Sequence, residues 1–257
     1  MEANPSRMRS LSFFLLGLSV FAQAPEMATI PAADCPMGPT RSHEEIHKPK
    51  VRGFLMALTP VTNAQYKLFL DATNHRAPER NSFDSKYRLW TGRMFPPEIA
   101  NQPVVNVSWT DAAAYCKWLS QTTGKSFRLP TEEEWEVAAR GGQAGKPYPT
   151  GDAIDLNAAW FGQKWNGPST LKAANYGKPN GYGLFGMAGN VWQWVEDWYV
   201  PVFNDRPVAE ELQLYRVLRG GSWANDPDFL KVNYRSFHPP EFRDLFAGFR
   251  VAASLPD

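Results

Sequence analysis

The sequence predicts one domain in which a few short helices and strands are set within long stretches of irregular, turn-rich backbone. Three observations point there. The first is 22 Pro and 19 Gly among 257 residues, because each Pro removes a backbone donor and each Gly weakens a regular element. The second is a 14% aromatic and 43% hydrophobic composition, enough to hold irregular backbone together through large rings, with no composition break to divide the chain. The third is Asn180 to Trp198, which puts three Trp, one Tyr, one Phe and four Gly into nineteen positions. It reads as a tight glycine turn feeding a core strand in which Trp192, Trp194 and Trp198 share one buried face.

The formal charge of +1 gives no basic footprint and excludes nucleic acid as a partner. Arg7 and Arg9 precede an apolar run from Leu11 to Ala22 that is too short to span a bilayer comfortably. A cleaved signal peptide over residues 1–22 is therefore expected, leaving a domain over 23–257, exported to the periplasm or beyond, with no integral membrane segment. Cys35 and Cys116 alone exclude a disulfide framework and a cysteine zinc cluster. Export permits one disulfide between them, but Cys116 sits in a helical apolar pattern and reads as a buried small residue.

Taken in order, Met27 to Gly38 reads as an edge strand and turn, broken by Pro31 and Pro36. His43-Glu-Glu-Ile-His47 matches the spacing of zinc peptidases, which need a helix to bring both imidazoles to one metal. Pro39 and Pro49 flank it, so a polar loop is the reading. Val51 to Leu58 is a strand, and Thr62 or Asn63 caps a helix facing inward through Tyr66, Phe69 and Leu70. Ala72 to Gln102 is a long loop whose Phe83, Tyr87, Trp90 and Phe95 pack it down. Thr110 caps a second helix, with Ala113, Ala114, Cys116, Trp118 and Leu119 inward and Gly124 as its stop. Thr131 and Glu134 form the capping box of a third, which stops at Gly141, with Glu132 to Glu134 as partners of the helix dipole. Gly151 to Lys178 is loop, with Asn157, Trp160 and Trp165 its informative positions. Tyr215 to Trp223 is a short strand ending in a Gly pair, and Gly248 to Ala252 a last strand with Phe249 and Val251 inward.

Val61-Thr-Asn-Ala-Gln-Tyr66, Pro103-Val-Val-Asn-Val-Ser-Trp109, Arg128-Leu-Pro-Thr-Glu-Glu-Glu-Trp135, Tyr182-Gly-Leu-Phe through Gly189-Asn-Val-Trp192, Arg219-Gly-Gly-Ser-Trp223 and Gly248-Phe-Arg250 together resemble the formylglycine-generating enzyme, or sulfatase-modifying factor, family. The motifs stand in the family's order and cover nearly all of the chain after residue 22. The resemblance implies a single α+β domain related to C-type lectins, with low regular secondary structure, a twisted antiparallel sheet and two or three short helices. It also implies copper held by two cysteine thiolates between the Gly-Gly-Ser and Gly-Phe-Arg motifs. Between Ser222 and Gly248 this chain has no Cys, so the soft ligands that Cu(I) requires are missing. A related branch carries a three-histidine iron site; the four His here, His43, His47, His75 and His238, do not show its spacing. Calcium in the family maps onto Asn157 and Ala158 for one site, and onto Gly186, Gly189, Val191 and Gln193 for another. Gln193 replaces the family's usual Glu, so one weak Ca²⁺ site or none is expected.

Ala224 to Ala247 stands in place of the catalytic region. In a lectin-like fold it faces ligand, and Trp223, Asn225, Asp226, Phe229, Tyr234, Arg235, Phe237, His238 and Arg243 are the candidate ligand-binding residues. The plainer reading makes Phe229, Phe242 and Phe246 core. The expectation is an exported, monomeric binding or interaction domain whose protein, peptide or small-molecule ligand is unknown. The alternative is a metal- and O₂-dependent oxidase with an altered site, which would require a redox metal.

Overall fold

A computed structural model describes residues 24–34, 49–79, 87–201, 209 and 213–255. The apolar run from Leu11 to Ala22, Cys35, the His43–His47 stretch and Phe83 lie outside these residues. Three helices start where reciprocal caps can form. In α1 (Asn63–Thr73) the Thr62 hydroxyl accepts from the Gln65 N–H while the Gln65 side chain accepts from the Thr62 N–H. The cap of α2 (Trp109–Thr123) is Ser108, not Thr110. The Asp111 N–H donates to Ser108 Oγ at 3.1 Å and the Ser108 N–H to Asp111 Oδ2 at 2.8 Å, a closed pair that Thr110 lacks. Thr110 instead donates to Glu241 at the surface. The inner stripe of α2 is Ala112, Tyr115, Cys116 and Leu119, with Asp111 and Trp118 at its flanks, while Ala113 and Ala114 are half-buried. In α3 (Glu132–Arg140), Thr131 and Glu134 form the box and Gly141 closes the helix in the left-handed conformation.

Two four-stranded sheets pack with these helices. The first runs β1 (Met27–Ile30), β4 (Phe54–Ala57), β10 (Ala252–Ser254) and β5 (Phe127–Arg128), antiparallel throughout, with β1 at an edge. A small pair, β2 (Ala33–Asp34) and β3 (Lys50–Val51), lies apart, so Val51 to Leu58 is not one strand: the chain breaks at Arg52-Gly53. The second sheet orders β8 (Arg235–His238), β7 (Arg216–Arg219), β6 (Trp192–Trp198) and β9 (Ala247–Phe249), with β9 parallel to β6. Gly248 to Ala252 is likewise two strands in different sheets, joined through buried Arg250 and Val251.

Trp192 to Val195 are buried on both faces of β6, so the tryptophans do not mark a single inner face. A register shift between Trp194 and Trp198 carries Trp198 over the Arg216 guanidinium, which Trp109 covers from the other side at 3.6 Å. The loop before Gln102 packs down as its rings predict: Trp90 is buried, donates to Asn63 Oδ1 at 2.8 Å and meets Phe95 at 4.7 Å. Cys116 is a free buried thiol, and burial pushes its ionisation well above the ordinary range.

Candidate functional site

The segment after β7 is shaped by a polar turn. Asn225 Oδ1 accepts from both the N–H and the hydroxyl of Ser222, at 2.9 and 2.7 Å. Backbone bonds then lace it into the domain, with Trp223 N–H on Asn190 O, Gln163 N–H on Trp223 O and Gly162 N–H on Asn225 O. Trp223 lies between β6 and the 160s loop as a consequence, buried, with Nε1 on Leu245 O.

Around Trp223 stands a connected set of rings. Trp165 approaches it at 5.9 Å and Phe246 at 5.1 Å, and Tyr87 continues from Trp165 at 5.6 Å. Close by, the Trp192 N–H donates to Phe246 O, and Trp192, Tyr234 and Phe229 form a second run. Tyr87, Trp165, Phe229, Tyr234 and Phe246 are half-buried and pack against the core cluster that contains Trp223 and Trp192.

The nine candidate residues separate sharply. Phe229 and Tyr234 belong to this face, and Asp226 is exposed beside it. Trp223 is its floor. Asn225 spends its side-chain oxygen on the Ser222 turn. Phe237 is exposed but joins another group, stacking on Tyr199 at 3.9 Å with Tyr215 at 5.3 Å. His238 stacks on Phe242 at 3.7 Å, and burial lowers its basicity, opposed by Asp244. Two of the arginines are not ligand-facing. Arg235 binds both oxygens of Glu132 in the interior, and buried Arg243 holds Asp111 through both terminal nitrogens. Burial pushes the Asp111 carboxyl up, but hydrogen bonds from His75 and Arg243 outweigh it and hold the group below the usual carboxylate range. Tyr87, Trp165 and Trp192 are the members that sequence reasoning did not place on the face.

Glu132 to Glu134 are not a uniform set of dipole partners. Glu132 and Glu136 are buried and share Arg219, at 2.9 and 2.5 Å, while Glu134 closes the capping box and pairs with Arg128. Near them, Asp197 accepts from the Glu132 N–H at 2.6 Å. Burial, with Glu133 and Glu132 adding repulsion, pushes its carboxyl up to about 7. The folded form therefore binds a proton more tightly than the unfolded chain between about pH 4 and 7. Stability falls as pH rises through that window and stays lower above it. Asp197→Asn is expected to flatten this slope and to exceed wild type at pH 8 by roughly 2 kcal/mol, less than the full shift because solvent reaches part of the carboxyl. Urea unfolding at pH 5 and pH 8 checks it.

Among the described residues no three His, Cys, Asp or Glu side chains are grouped to share a metal ion. At the first calcium position Asn157 is exposed, and Asp155 Oδ1 accepts from the N–H groups of Asn157 and Ala158. Asp155 Oδ1 is thus engaged by these two N–H groups, and Ala158 O accepts from the Lys178 N–H. The second position does not fit a cation. Gln193 Oε1 accepts from Trp135 and Arg250, and Gln193 Nε2 donates to Gly186 O. Burial lowers the Arg250 guanidinium to about 9.

The fold and this site define a lectin-like α+β domain with a group of half-buried rings beside a 222–248 segment that contains no Cys. The family model described as a sulfatase-modifying factor enzyme 1-like domain matches residues 18–255, and the chain belongs to that family. It is similar to the formylglycine-generating enzyme of Streptomyces coelicolor, 33% identical over 265 residues, covering 83% of this chain and 82% of that one. It is also similar to serine/threonine-protein kinase Pkn1 of Chlamydia trachomatis, 35% identical over 84% of this chain, but it spans only 35% of that relative's length. The inactive Cα-formylglycine-generating enzyme 2 of Mus musculus is 39% identical over 166 residues, 59% of this chain and 49% of its own. Among solved structures, PvdO from Pseudomonas aeruginosa has a TM-score of 0.75 at 27% identity, with 90% of this chain and 95% of that one covered. No helix among the described residues is long and apolar enough to cross a membrane.

Proposed function

We propose that this chain is an exported, monomeric binding domain that uses the family scaffold without copper oxidation. Residues 1–22 are its signal peptide and 23–257 its binding domain. The observation that carries the reading is the fate of the 222–248 segment. It contains no thiol, Asn225 is engaged in the Ser222 turn, and its half-buried rings Phe229, Tyr234 and Phe246 stand beside Trp165 of the 160s loop, with Asp226, Asp228 and Glu241 exposed around them. A relative named as inactive, 39% identical over 166 residues, is in keeping with a member of the family that does not oxidise. The partner class is a protein, peptide or small molecule that offers rings or apolar groups to these side chains. A Ca²⁺ ion held weakly by Asn157 and Ala158 would brace the neighbouring loop.

Screening the purified protein against peptide and glycan arrays tests this, followed by titration of the best ligand. Trp165→Ala removes a half-buried ring, so affinity is expected to fall about tenfold or more. Its melting temperature should stay within about 3 °C of wild type, as for a partly exposed side chain. Unchanged affinity in Trp165→Ala refutes the face. Aldehyde formation on a cysteine peptide with copper and oxygen refutes the non-oxidising role. So does stoichiometric iron or copper that His238→Ala removes, which would move the assignment to an oxidase.

A further inference from the structure

We infer that the side-chain amide of Gln193 occupies the place of a cation at the start of β6, closing the Gly186, Gly189, Val191 and Gln193 position to metal. Trp135 Nε1–H at 2.9 Å and Arg250 Nε–H at 2.6 Å both donate to one end of the Gln193 side chain. Neither group can accept a hydrogen bond, so that end is the carbonyl oxygen. The NH₂ end is thereby turned onto Gly186 O, at 2.6 Å. A donor cannot ligate a metal, and it satisfies the carbonyl that a metal would use.

Charge leads to the same result. Arg250 is fully buried, and its partners among the described residues are Gln193 Oε1, Ala57 O and Phe185 O, all neutral. A dication placed here would meet an uncompensated guanidinium in a medium that screens poorly. A carboxylate at 193 reverses both conditions. One oxygen still accepts from Trp135 and Arg250, while the other faces Gly186 O, an oxygen pair that calls for a cation between them. Gln193→Glu therefore opens a divalent-cation site that the wild type lacks.

The test is calcium titration by calorimetry on the full chain after EDTA stripping, for wild type, Asn157→Ala and Gln193→Glu. Asn157→Ala is expected to bind no ion, and Gln193→Glu one ion more than wild type. With calcium near a hundred times its dissociation constant, Gln193→Glu is expected to melt roughly 5–10 °C higher than in EDTA. An ion retained by Asn157→Ala overturns the inference, as does a folded Gln193→Glu with wild-type stoichiometry. If Gln193→Glu does not fold, the Asn157→Ala result alone decides.

Discussion

Glu132→Ala is expected to cost about 3–5 kcal/mol, as for breaking one member of a buried ion cluster. Glu132 is nearly inaccessible, with 2% of its surface exposed, and its two oxygens serve both Arg219 and Arg235. Those arginines come from β7 and β8, so the carboxylate at the start of α3 fastens the helix to two neighbouring strands. Removing it takes from both arginines the buried carboxylate they share, while Glu136 and Val232 O still hold Arg219 and Val200 O still holds Arg235. Against a typical total stability of about 5–15 kcal/mol, the loss is roughly a fifth or more. Glu133→Ala, one residue on and half-buried, is expected to change stability by no more than about 0.5 kcal/mol. Urea unfolding of the two variants checks the ranking, and equal losses would show that the cluster does not tie the helix to the sheet.

The same glutamates show what a single sequence reveals and what it hides. Thr131 and Glu134 were legible because a capping box is local: three residues of separation are enough to state the chemistry. The choice of Ser108 over Thr110 was less so, since both carry a hydroxyl and only the return bond from Asp111 decides between them. The fate of Glu132 was not legible, because its partners lie 87 and 103 residues away. For the same reason Arg235 and Arg243 looked like surface charges in a loop-rich segment, although each is turned inward onto a carboxylate on a helix. The split of Gly248 to Ala252 between two sheets also depends on distant pairing. The aromatic face was half legible. Phe229 and Tyr234 stood out, whereas Tyr87 and Trp165 sit in other loops and reach the face only through folding.

Gly189→Ala is expected to cost roughly 3–5 kcal/mol, against about 1–2 kcal/mol for Gly162→Ala, although both glycines have left-handed backbone, at φ +71° and +66°. The conformational penalty is shared. What differs is the space around the missing Cβ. At Gly162 nothing lies within 4 Å, whereas at Gly189 a methyl would stand 2.4 Å from Trp160 O and 3.0 Å from its carbonyl carbon. That carbonyl cannot yield easily, because it accepts from the Asn190 N–H at 2.7 Å while the Gly189 N–H is held by Gly220 O at 2.8 Å. The methyl must therefore drive the 160s loop away from the entry to β6. Trp165 rides on that loop and reaches the aromatic face from it, so under the proposed binding role Gly189→Ala is expected to weaken ligand binding together with stability, and Gly162→Ala to lower stability alone. Denaturation curves and ligand titrations on the pair separate the two effects, and equal losses in both variants would mean that the close approach of Trp160 to Gly189 does not set the geometry of the face.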